Sequence, residues 1–326
     1  MNNNYIITYI FFGLFAILAT SNAEIELSIK ITSEDNAPIE GAKIIADFKG
    51  YLKEQRVTVS GTTDAEGCAI IKGCSKAKRI NTSVDVTVNA EGSYFTTVKS
   101  LSDNSRVYDL NLALRKRIKP IALYAKKASL TIPIDDGWVA YDFKKGDLVE
   151  PHGLGKESDI FFKVSSLPTE DNGTIPTNAG MGKMLVKFPN TYDGLIYEKA
   201  GFIATSEMVM PHQAHLEGYV DTLVREEPAY HNINRRRGVG IFMRVRSQSN
   251  EDGSLKQANY AKLNQDFRFD PRESGWHVDD QGKPKTYGHI SFTYYFNPTP
   301  NDRNLEFDPD KNLFGELEWD EVVRAP

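Results

Sequence analysis

Two histidines three residues apart, His212 and His215 in "MVMPHQAHLEGYVDTLVREEP", are the side chains best suited to hold a transition metal. At that spacing on a helix they lie on one face, and a third ligand would complete a zinc-type site. His231, Glu217 and Asp221 are the candidates for it. The motif is not H-E-x-x-H, so no zincin mechanism follows. The competing reading is a pair of histidines bordering an ordinary packed helix.

A second set of donors lies in "NDRNLEFDPDKN". Asp302, Asn304, Glu306, Asp308, Asp310 and Asn312 recur with period two and offer oxygen ligands of the kind calcium takes. The glycine and the terminal glutamate of an EF-hand loop are absent, and an extended chain spreads its ligands unless it curls. The plainer alternative is a solvated strand edge that turns at Asp308-Pro309.

"NRRRGVGIFMRVRSQ" collects Arg235, Arg236, Arg237, Arg244 and Arg246. Guanidinium forks could grip carboxylates or sulfates of an acidic glycan, or pair with the chain's own carboxylates. Trp138, Tyr141, Phe143, Trp276, Tyr287, Tyr294 and Tyr295 accompany turn-rich β segments. On an exposed sheet face such rings stack on sugars, and in a core they fill space. Trp138, Tyr141, Trp276, Arg244 and Arg246 are therefore the candidate ligand contacts. Cys68 and Cys74, the only cysteines, could bridge only if the chain turns near Lys72-Gly73.

Enzyme signatures are sparse. There is no G-x-S-x-G elbow, and "GLGK" and "GMGK" lack the Walker spacing. Carboxylate pairs are set in space rather than in sequence and stay open. The chain leans away from an enzyme.

The elements that must position these side chains are mostly strands. "IELSIKIT", "TSVDVTVNA" and "RVYDLNLAL" alternate apolar and polar residues between turn clusters such as Ser33-Glu34-Asp35-Asn36. In "GTTDAEGCAII", Asp64 can accept backbone hydrogens of the turn it opens. Gly67 supplies positive φ, and Ala69 and Ile71 share a face of the next strand. "RKRIKP", residues 115–120, is the natural boundary. Beyond it "SDIFFKVSS", "GKMLVKF", "GVGIFMRVRSQ", "QDFRFDP" and "YGHISFTYYF" read as strands. Hairpin signals stand at Glu170-Asp171-Asn172-Gly173, Asn250-Glu251-Asp252-Gly253 and Asp279-Asp280-Gln281-Gly282. One helix is expected, because Leu216, Tyr219, Val220, Leu223 and Val224 fall at helical spacing.

"PIEGAKIIADF", "GTTDAEGCAII" and "VDVTVNAEGSYF" together resemble the carboxypeptidase regulatory-like domain, a transthyretin-like β-sandwich. The resemblance covers roughly residues 24–115 and rests on Gly41-Ala42, Thr63-Asp64, Gly67 and residues 88–92. It departs at Ala69 and at Ser93 before Tyr94. It implies a non-catalytic accessory module on a secreted or surface protein. "FTYYFNPTPNDRNLEFDP" resembles segments of uncharacterised secreted bacterial proteins and implies no activity.

Residues 1–23 read as a signal peptide: an apolar run from Tyr5 to about Ala19, then Ser21-Asn22-Ala23 for cleavage. Net charge is −5, hydrophobic content 40% and charged content 25%, ordinary for a folded protein and without the basic stripe of a nucleic-acid binder. The expectation is a mainly β protein. Residues 24–115 form a transthyretin-like antiparallel sandwich, and residues 116–326 a larger, mostly antiparallel β domain with about one helix. Its place would be secreted, periplasmic or cell-surface, with no membrane span after cleavage and no cofactor. The expected partner is an extracellular glycan or protein. The alternatives are an exported metal-dependent hydrolase centred on His212 and His215, with a transition metal there, and a structural envelope component; calcium at the stretch from Asp302 is a separate cofactor alternative.

Overall fold

Alternation builds the first sandwich. In β1 (Ile25–Ser33), Ile25, Leu27, Ile29 and Ile31 are buried. So are Ile44, Ala46 and Phe48 of β2 (Lys43–Lys49) and Val84, Val86 and Val88 of β5 (Ser83–Asn89). The computed structural model describes residues 24–50, 52–76, 83–101, 106–134, 137–167, 181–199, 210–228, 239–278 and 284–324. The 1–23 leader, the 170–173 and 279–282 hairpin signals, His231 and Arg235 to Arg237 lie outside them, as do the side chains of Trp276 and Tyr287.

Two sheets close over that core. One has the order β3 (Val57–Thr62), β2, β5, β6 (Thr96–Leu101). The other has β4 (Cys68–Gly73), β1, β7 (Val107–Leu114). The β1–β7 pair is parallel, so the sandwich is not antiparallel throughout. Its turn chemistry matches the sequence: Asp64 Oδ1 accepts the Glu66 and Cys68 N–H groups at 3.1 and 2.7 Å. Gly67 has φ +73°, and a Cβ there would lie 2.4 Å from the Ile31 carbonyl oxygen, so only glycine fits.

The second unit is also a two-sheet packing. Its larger sheet runs β13 (Gly194–Lys199), β15 (Val239–Ser249), β16 (Leu255–Leu263), β18 (Pro284–Asn297), β17 (Arg268–Val278), with β8 (Tyr124–Pro133) also paired to β18. A smaller sheet runs β10 (Asp147–Leu148), β9 (Val139–Asp142), β11 (Ile160–Leu167), β12 (Met181–Lys187), β14 (Thr222–Pro228). Their facing sides share one aromatic-rich core that includes Tyr141, Phe162, Val186, Phe292 and Tyr294. The larger sheet is covered on its other side too, by residues 210–221 and 301–323 around Phe242, Tyr260, Tyr295, Leu305 and Phe307. A sheet buried on both faces loses alternation, and β15 and β16 each run through consecutive buried residues.

The expected helix is absent: among the described residues the only helical pieces are two short 3₁₀ turns. Gly218 takes φ +90°, Val220 exchanges both backbone bonds with Leu195, and Thr222 begins β14. Leu216, Val220 and Val224 are 65%, 54% and 52% exposed while Leu223 is buried, so residues at helical spacing do not share one buried face. The working period is two, with Leu223 and Arg225 inward and Val224 outward. No helix among the described residues is long and apolar enough to cross a membrane.

Residues 115–121 do not hang as a linker. Tyr94 N–H donates to the Arg115 carbonyl, and Ile121 N–H to that of Glu306, both at 2.8 Å.

Candidate functional site

The outer face of the smaller sheet is where chemistry is offered to solvent. Phe162, Val164, Met184 and Val186 point into the core, so Phe161, Lys163, Lys183, Leu185 and Lys187 point out. Register sets Phe161 beside Lys187, Lys163 beside Leu185, Leu185 beside Val224 and Lys183 beside Glu226. Trp138, 38% exposed, precedes β9 at the rim of this face. Lys187 Nζ lies 4.2 Å from the Trp138 ring centroid and 5.4 Å from that of Phe161. Lys183 pairs with Glu226 at 3.3 Å. Among the described residues Lys163 and Lys187 have no acidic partner. The result is a strip of rings and aliphatic side chains set with cations.

Of the expected contacts whose side chains are described, only Trp138 lies there. Tyr141 is fully buried, edge-on to Phe143, Phe292 and Tyr294, and so stacks on no sugar. Phe143, Tyr294 and Tyr295 are core as well. Arg244 is buried, donates to the Tyr192 and Leu216 carbonyls, and lies 4.5 Å over the Tyr219 ring. Arg246 stands at a register shift in β15 with φ +54°. It forks onto Asp159 at 2.6 and 2.8 Å, reaches Asp142 at 3.1 Å and also pairs with Glu157. Burial pushes Asp159 up to about 6 against the pull of Arg246, so it is ionised at neutral pH. Burial also raises Asp142, but the Lys156, Glu157 and Lys145 N–H groups outweigh it and hold that carboxyl below its usual value. Both arginines are spent inside the chain.

The two histidines serve different carboxylates. His215 Nε2 is 2.6 Å from Glu198, while His212 Nδ1 is 3.8 Å from Glu306. Without the helix nothing brings the two rings onto one ligand, and no group of three or more His, Cys, Asp or Glu among the described residues is placed to hold a metal. The acidic ladder is likewise turned onto its own backbone. Asp302 caps the Asn304 N–H at 3.0 Å, Asn304 caps that of Glu306 at 3.0 Å, and Asp308 caps that of Asp310 at 3.2 Å. Glu306 accepts the Ile118 and Lys119 N–H groups at 2.7 and 2.6 Å. These oxygens hold a strap rather than a calcium ion.

Cys68 and Cys74 are both free. Cys68 opens β4 and Cys74 follows its end, so extended chain separates them by roughly 20 Å, beyond disulfide reach of about 7 Å.

Sequence reasoning missed Phe161, Lys163, Lys183 and Lys187. Their signal was the parity of "IFFKV" and "GKMLVK": once Phe162 and Val186 are assigned inward, the lysines fall outward.

No family model matches the chain, and no curated protein does. Several solved structures bear a likeness, among them the following three. A Streptococcal ancillary pilin is 11% identical over 49% of this chain, TM-score 0.21. A protein from Bacteroides uniformis described as a "putative carbohydrate binding protein" is 6% identical over 82% of this chain and 97% of its own length, TM-score 0.21. A double mutant of shaft pilin SpaA from Lactobacillus rhamnosus GG is 8% identical over 52% of this chain and 89% of its own, TM-score 0.19. The chain spans 56% of the length of the ancillary pilin. At such TM-scores these likenesses carry no argument about ligand or role.

Proposed function

We propose that the protein is an exported, non-enzymatic binding protein. Its second unit presents the outer face of the smaller sheet to an anionic polysaccharide, and its first sandwich, of the regulatory-like kind, acts as spacer or docking unit. One observation carries the reading: Lys187 rests over the Trp138 and Phe161 rings with no acidic partner among the described residues. Sugar rings offer C–H faces to such aromatics, and a uronate or sulfate offers Lys163 and Lys187 a counter-ion that no described residue supplies. Strands hold the strip rigid, which lowers the entropy lost on binding.

Affinity electrophoresis in gels cast with a uronate-rich or a neutral polysaccharide tests this. Retardation is expected only with the anionic polymer, weakening with salt. Trp138→Ala and Lys187→Gln should each cut affinity roughly tenfold, about 1.4 kcal/mol. Equal retardation by both polymers, or none by either, would remove the reading.

A further inference from the structure

Lys262 stands apart from every other lysine described. It is 1% exposed, and its Nζ lies 4.8 Å over the Tyr295 ring. An ammonium in such a place is cut off from water, which counts against the charged form.

Its surroundings are the seam between the two sandwiches. From the 115–121 strap comes Arg115, which donates to the Met210 carbonyl at 2.5 Å and lies 3.9 Å from Glu34. From the 210–214 stretch comes His212, and from the 304–308 stretch Glu306. From the first sandwich comes Tyr94, its hydroxyl 3.1 Å from Glu306 and 3.0 Å from the Phe307 carbonyl, with Arg117 5.0 Å over its ring. β18 contributes Tyr295. Glu306 is the fully buried carboxylate among the described residues of this group, Glu34 being part-exposed, and two backbone N–H groups and the tyrosine hydroxyl already occupy it.

We propose that this seam is a proton-operated latch. Proton uptake by Lys262 places a buried ammonium beside Arg115, and the 115–121 strap and 304–308 stretch lift to let water reach it. Loss of that proton seats them again. Burial, then Arg115, draws the seated amine down to about 7 against Glu306. A solvated lysine keeps its proton to about 10.4. Between those values the open seam binds a proton that the closed seam does not. Seating therefore tightens as pH climbs through the window, weakens as pH falls, and levels off below about 7. His212, drawn down to about 4 by burial and then by Arg115, stays neutral throughout. The latch is independent of the polysaccharide reading, since Lys262 and its neighbours lie on the opposite side of the larger sheet from the lysine strip.

Hydrogen exchange on the mature chain, corrected for intrinsic rates, at about pH 8.5 and about pH 6 tests it. Protection across residues 115–121 and 303–308 should fall roughly tenfold or more toward the lower pH, with β11 and β12 unchanged. In Lys262→Met the seam should show no such step. Equal seam protection at both values in the unaltered chain, or a step that survives in Lys262→Met, would overturn the latch. If Lys262→Met does not fold, His212→Gln takes its place. A step that persists there assigns it away from the imidazole and supports Lys262, and a step that vanishes overturns the proposal.

Discussion

Tyr94 and Glu306, 212 positions apart in the chain, meet through a buried contact of 3.1 Å between hydroxyl and carboxylate. The pair ties the turn after β5 to the final covering stretch of the larger sheet. Burial, then the Glu306 charge, pushes the Tyr94 phenol well above its ordinary range, so it remains a donor at any physiological pH.

The consequence for stability is asymmetric. Tyr94→Phe removes one donor and should cost ~1 kcal/mol. Glu306→Ala leaves the Ile118 and Lys119 N–H groups and the tyrosine hydroxyl without their acceptor, with Arg115 and Lys262 still buried nearby, and should cost ~3–5 kcal/mol. Urea unfolding of both variants checks the order, and equal costs would contradict it.

His212 should make the protein acid-sensitive in a defined window. Its folded value is about 4 and its unfolded value about 6.5, so the unfolded chain binds the extra proton between them. Stability from this residue is complete above pH ~6.5 and is lost as pH falls toward 4, on the order of 2 kcal/mol after allowing for partial exposure. His212→Gln should gain about that much relative to the unaltered protein between pH 7 and pH 4.5 in paired urea melts. A constant difference would show that the imidazole titrates normally.

Both thiols should be free. Alkylation of the denatured, unreduced chain is expected to add two labels, at Cys68 and Cys74, because β4 keeps them apart. A single unlabelled pair, with the mass short by two hydrogens, would mean that β4 is not extended as described.

The first sandwich was legible because its strands have one wet face. Ile25 to Ile31 and Val84 to Val88 alternate without a break, and Asp64 and Gly67 announce their turn. The larger sheet hides its parity, since β15 and β16 are covered on both sides and polar Arg244 and Lys262 sit among apolar neighbours. The helix expected through Leu216 to Val224 failed for a local reason. Apolar residues at helical spacing compete with strand pairing, and the β12–β14 ladder with Gly218 at positive φ decided the outcome. The candidate site was half legible. Trp138 could be named, but its cationic neighbours needed cross-strand register, which no single strand encodes. The acidic ladder misled because calcium ligation and backbone capping draw on the same side chains at the same period.

The parallel pairing of β1 with β7 bears on how the chain comes to be folded at all. Glu26 aligns with Val107 and Ser33 with Leu114, so the first strand awaits the last strand of its own sandwich before that flank is paired. Loop closure on that scale gives a high contact order and slow acquisition of structure. A nascent chain halted before Val107 exposes β1 as an unpaired edge, open to wrong partners and to proteolysis. If the protein is exported as proposed, that delay suits passage across a membrane before folding: the topology keeps the sandwich open until its eighth decade of residues beyond β1 has arrived.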